Sequence, residues 1–77
     1  MDKPNYYIKQ IGNMRYECWD IIKIWIHGMT AEYASMMYNV LKYLWRFEHK
    51  NGIEDLMKAR TYLDEIIRMK NEELNQE

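Results

Sequence analysis

Seventy-seven residues make one small domain, and a chain of that length buries only roughly 60% of the surface it exposes when unfolded. A formal net charge of −1 argues against a broadly basic nucleic-acid binder, and one cysteine, Cys18, excludes an intrachain disulfide. Hydrophobic residues still make up 48% of the chain, with 3 Trp, 7 Tyr and 7 Met, so part of that surface is expected to meet another copy of the chain.

Residues 1–13 contain Pro4, Gly12 and the turn formers Asn5, Gln10 and Asn13, and read as an extended arm that carries Tyr6, Tyr7, Ile8 and Ile11 onto the core. The opening Met1-Asp2-Lys3-Pro4 has no apolar signal-peptide core. From residue 14 to 27 the pattern turns helical: Cys18, Ile22, Trp25 and Met29 recur on one face, flanked by Ile21 and Ile26. Cys18 on that apolar stretch reads as a small buried hydrophobe in a reducing cytoplasm. Lys23, His27 and Gly28 interrupt the richest apolar run, which therefore falls short of the ~18 residues a membrane span needs.

Gly28 stops the first helix and Thr30 is placed to cap the second, over residues 31–49. Tyr33, Met37, Val40, Leu44 and Phe47 form its apolar stripe, broadened by Met36 and Leu41. Asn51-Gly52 ends it in the manner of a glycine C-cap. The third helix starts near Ile53 with Glu54 and Asp55 in its first turn, where negative charge suits the helix dipole. Its stripe is Leu56, Ala59, Leu63, Ile66 and Ile67, and the polar residues 70–77 are expected to fray. No strand pattern stands out. The expected fold is an all-α, single three-helix domain over residues 1–77, its second and third helices an antiparallel hairpin, assembled as an oligomer.

Charge then gathers locally. Asn39, Lys42, Arg46 and His49 follow helical spacing along one face of the second helix, with Lys50 beside its end. A tight turn at Asn51-Gly52 brings Asp55, Lys58 and Tyr62 back alongside. Four cations with one carboxylate and one phenol make a cradle for a phosphate-bearing ligand: Arg46 can grip oxygens in pairs, the lysines supply point charge, and Tyr7, Tyr43 or Tyr62 can stack on a base. The plainer reading stays open, since charged helix faces are usually solvated surface and Asp55–Lys58 can be an ordinary intrahelical pair.

Glu17 and Asp20 sit at i and i+3 on the first helix, and with Asp55 they form a sparse set for Mg²⁺ under an enzymatic alternative. Pairing with Arg15, Lys23 or the basic hairpin is the simpler use of these carboxylates. His27 and His49 read equally well as capping or surface histidines. The chain has no zinc-ligand spacing, no phosphate-cradling glycine loop and no serine-centred elbow, and Ser35, the only serine, lies mid-helix. No complete catalytic set is legible, and no cofactor is expected.

The string Lys42-Tyr43-Leu44-Trp45-Arg46, followed by His49 to Leu56, Lys58-Ala59 and Tyr62-Leu63, resembles the SaV-like family of phage proteins, a domain of unknown function (3310). The likeness extends through Asn39, Glu17-Cys18 and Asp20 to Tyr7 and Pro4. This chain departs from the family at Tyr6-Tyr7, where His-Tyr is common, and at Tyr38-Asn39, where Gly-Asn is frequent. The resemblance implies phage or prophage origin and a host bacterial cytoplasm. Related domains occur in phage proteins described as nucleotide kinases, and one member is linked to sensitivity to an abortive-infection system. The expectation is therefore a phage accessory protein that binds a nucleotide or cyclic nucleotide without turnover and so withholds a defence signal. The alternatives are a nucleotide kinase or phosphohydrolase, and a protein that inhibits a host defence factor by direct contact.

Overall fold

The computed structural model describes residues 5–76, so Pro4 of the proposed arm and the terminal Glu77 lie outside the described residues. Where an extended arm was expected, the chain makes a 3₁₀ turn at Asn5–Tyr7 and then a β-hairpin, β1 (Ile8–Ile11) and β2 (Met14–Glu17). Ile8 pairs with Glu17 and Ile11 with Met14, which leaves Gly12-Asn13 as a two-residue turn. Gly12 has φ +60°, the left-handed conformation such turns demand and side chains resist. Residues 14–17 therefore belong to the hairpin, and the first helix starts four residues later than its periodicity suggested.

That helix, α1 (Cys18–Ile26), buries Cys18 and Ile22, one turn apart, while Trp25 of the expected stripe stands 57% exposed. Gly28 ends the segment at φ +86°. Helix α2 (Ala31–Arg46) opens as expected, with the Thr30 hydroxyl accepting from the Tyr33 amide at 3.5 Å. It closes earlier than expected, because Phe47–His49 tighten into a 3₁₀ turn before Gly52 at φ +54° reverses the chain.

Helix α3 (Ile53–Asn75) runs back along α2. Of its expected stripe, Ala59 is buried and Leu56 and Ile66 are half-buried, whereas Leu63 and Ile67 are exposed; Asp55, fully buried, and Tyr62, half-buried, complete the covered face. The polar end does not fray before Asn75. Arg68 pairs with Glu65 and Glu72, Lys70 pairs with Glu73 at 3.3 Å, and the Tyr33 hydroxyl donates to Glu73 at 2.6 Å across to α2. The molecule is thus mostly helical with a small two-stranded sheet added. No helix of the described residues is long and apolar enough to cross a membrane.

The core is thin. Among the described residues only Cys18, Ile22, Val40 and Ala59 are buried hydrophobes. The Trp45 indole N–H is buried without an acceptor among the described residues, a penalty of about 1–3 kcal/mol.

Candidate functional site

Arg46 leaves the last turn of α2 and Asp55 the first turn of α3, so the short connection between them sets the two side chains face to face. Two parallel hydrogen bonds join them: Arg46 Nε donates to Asp55 Oδ2 at 3.2 Å and Nη2 to Oδ1 at 3.1 Å. The backbone N–H and side-chain Nδ2 of Asn51 donate to the same carboxylate, both at 3.3 Å. Arg46 Nη1 donates to the Tyr7 hydroxyl at 2.8 Å, which ties the N-terminal segment to the hairpin. Arg46 is only 7% exposed and Asp55 is fully buried.

Burial pushes the Asp55 carboxyl upward, but the donors from Arg46 and Asn51 outweigh it and hold the group below its ordinary value of 3.8. For Arg46, burial opposes the charge, and the bonds to Asp55 and Tyr7 more than restore it. These two residues, expected to face a ligand, are consumed by the fold: a guanidinium bonded on all three nitrogens is a latch between helices. The Asp55–Lys58 pair considered from spacing does not form.

The latch forms one wall of a more open group of cations. The Tyr43 ring has Lys42 Nζ at 4.8 Å, Arg46 Cζ at 4.8 Å and Lys58 Nζ at 5.7 Å from its centroid, and it stacks on Tyr62 at 6.0 Å and 17°. Lys42 also lies 5.5 Å from the Tyr38 ring, which stacks on Trp19 at 5.0 Å. A ring face attracts each cation by about 0.5–1 kcal/mol at an exposed site, and three like charges on one ring still repel one another. Asp55 compensates Arg46. Neither Lys42 nor Lys58 has an ion-pair partner among the described residues.

Lys50 joins through the N-terminal tyrosines. Its ammonium is 3.3 Å from the Tyr6 hydroxyl and 4.9 Å from the Tyr6 ring, which meets Tyr7 edge to face at 4.6 Å. The structure thus brings together Tyr7, Lys42, Tyr43, Arg46, Lys50, Asp55, Lys58 and Tyr62. It adds Tyr6 and Tyr38, which sequence reasoning passed over as site residues. The adjacent Tyr6-Tyr7 pair was the available signal.

Two expected members stand apart. His49 falls in the 3₁₀ turn, loses the helical register it shared with Arg46, and lines a shallow cavity of ≈570 Å³ with Tyr6, Lys9 and Gln10. Asn39 donates its Nδ2 to the Ser35 carbonyl at 3.0 Å, a bond within its own helix. Asp55 is committed to Arg46, Asp20 is exposed on α1, and no three His, Cys, Asp or Glu side chains of the described residues converge. Cys18 is buried, and desolvation raises its thiol pKa despite opposing pulls from Lys42 and Lys9, in keeping with a packing role.

A family model described as a protein of unknown function (DUF3310) matches residues 1–64, a span that holds every side chain of the Tyr43 cluster. No curated protein and no solved structure matches the chain significantly. With its model covering more than four-fifths of the sequence, the chain belongs to the DUF3310 family.

Proposed function

We propose that this chain is a SaV-like phage accessory protein that binds a nucleotide or cyclic nucleotide and does not turn it over. The observation that carries the reading is the pair of ammoniums on Tyr43. Lys42 and Lys58 hold positive charge over one aromatic ring with no carboxylate partner among the described residues. A phosphate placed between them relieves their mutual repulsion, and the nearby phenol faces offer a stacking surface for a base. The roles differ from those expected of a cradle built on Arg46. Lys42 and Lys58 contact the anion, Tyr43 and Tyr62 shape the surface, Lys50 extends the field, and Arg46 with Asp55 holds the two helices at the right separation.

A host bacterial cytoplasm and the withholding of a nucleotide defence signal are the setting this reading favours. The test is isothermal titration of the folded protein with mono-, di- and cyclic nucleotides. The reading expects saturable binding of at least one of them, weakening as salt rises because exposed charge is screened. Silence across the whole panel, with helicity intact, overturns it.

A further inference from the structure

The chain exposes more surface than its mass requires. Its accessible area is 6094 Å², against about 5,100 Å² for a compact monomer of this mass. Its radius of gyration of 14.5 Å also exceeds the roughly 11.5 Å of a compact chain of this length. The excess, on the order of 1,000 Å², is close to the roughly 800 Å² that each partner covers in a standard specific interface.

Part of the uncovered apolar surface is gathered in one place. A groove of ≈310 Å³ between α1 and α2 and another of ≈270 Å³ under the hairpin share Lys9, Ile21 and Trp45, and so form one continuous face. Ile11, Trp25 and Leu44 line it at 69%, 57% and 45% exposure. Among the described residues Lys9 is the only charged side chain lining that face, and its ammonium rests 5.1 Å from the Trp45 ring. Large aromatic and aliphatic groups with charge nearly absent are the makeup of an interface centre. On α2, Leu44 lies about 200° of helical rotation from Lys42 and Trp45 about 60° from it, so the face adjoins the Tyr43 cluster at Trp45 and turns away from it at Leu44.

We propose that a second copy of this chain covers the face, each protomer laying Ile11, Ile21, Trp25, Leu44 and Trp45 against the same residues of its partner across a two-fold axis. Three observations select a copy of this chain as occupant. The excess area over the whole chain is enough for one protomer's share of a dimer. The face carries no charge pattern that would recognise a foreign protein. A core with four buried hydrophobes among the described residues gains most from a partner that is always present. The proposal does not use the ligand reading, since on α2 its face is built on Leu41, Leu44 and Trp45 and the cluster on Lys42, Tyr43 and Arg46.

Sedimentation velocity on the full chain across a hundredfold concentration range tests it. The expected result is a species of twice 9.6 kDa. Trp25→Glu should weaken association by about 30-fold or more while helical circular dichroism persists. Met57→Glu, on the exposed outer side of α3, should leave the dimer intact. A wild-type mass of 9.6 kDa at every concentration, or a dimer unaffected by Trp25→Glu, overturns the proposal. Should Trp25→Glu unfold, Ile11→Lys on the hairpin carries the same test. If that variant unfolds too, the wild-type mass decides, supported by a thermal midpoint that rises with protein concentration.

Discussion

Replacing Asp55 by alanine removes a carboxylate that accepts four hydrogen bonds and leaves the Arg46 guanidinium, 7% exposed, without its counter-charge. Breaking a buried ion pair from one side costs about 3–5 kcal/mol, because the surviving charge stays desolvated. A domain of this size has about 5–10 kcal/mol of stability in total, so Asp55→Ala should lose roughly half of it or more. The companion is Arg46→Met/Asp55→Leu. Replacing both members of a buried pair by apolar groups is often neutral, and the groups left without partners, the Asn51 donors and the Tyr7 hydroxyl that had accepted from Arg46, belong to half-buried residues that can reach water. The double variant should therefore recover most of what the single one loses. Urea unfolding followed by circular dichroism, at one fixed protein concentration, reads both. With a urea slope of about 1 kcal/mol/M, the single variant should lose several molar in its midpoint or be unfolded without urea. A single-variant loss under about 1 kcal/mol, or a double variant as damaged as the single, would refute the reasoning.

Other outcomes follow from the same geometry. Tyr7→Phe deletes the hydroxyl that accepts from Arg46 at 2.8 Å and should cost about 1 kcal/mol, read as a lowered thermal midpoint. Gly52→Ala places a methyl where no atom lies within 4 Å, so its cost is backbone strain at φ +54° and ψ −122° alone, about 1–3 kcal/mol by chemical unfolding. In acid, Asp55 has a lower pKa folded than unfolded. The stability it contributes is therefore present above its unfolded value and is lost as pH falls through the folded one. Urea midpoints should hold near neutrality and drop below about pH 4, less steeply in Arg46→Met/Asp55→Leu.

Much of this architecture was legible because punctuation residues carry their conformation with them. Gly28 and Gly52 take positive φ where the helices were expected to end, and Thr30 caps where a cap was expected. Lys42, Arg46 and Lys58 gather because a short turn between amphipathic helices leaves few other arrangements. Asp55 was misread for a physical reason. The expected stripe on α3 ran through Leu56, Ala59, Leu63, Ile66 and Ile67; Leu56, Ala59 and Ile66 are covered, but Leu63 and Ile67 are exposed and Asp55 and Tyr62 are covered instead. Apolarity alone favours Leu63 over Asp55, and only the partner across the helical hairpin, Arg46, makes Asp55 a buried residue. The β-hairpin was overlooked although Gly12-Asn13 has the composition of a two-residue turn, since Met14 and Cys18 fit a helical period equally well. The order of residues 70–75 depends partly on the Tyr33–Glu73 bond, whose partners are forty positions apart and share no local pattern.

The most direct measurement compares the wild-type chain with Lys42→Ala/Lys58→Ala, titrated calorimetrically with the tightest-binding nucleotide at low and at physiological salt. Both lysines are free of carboxylates among the described residues, so removing them should leave the thermal midpoint nearly unchanged. Affinity should fall at least about tenfold, and most of the salt dependence should vanish with it. Equal affinity in the two proteins, with the same salt dependence, would contradict a ligand site on the Tyr43 ring.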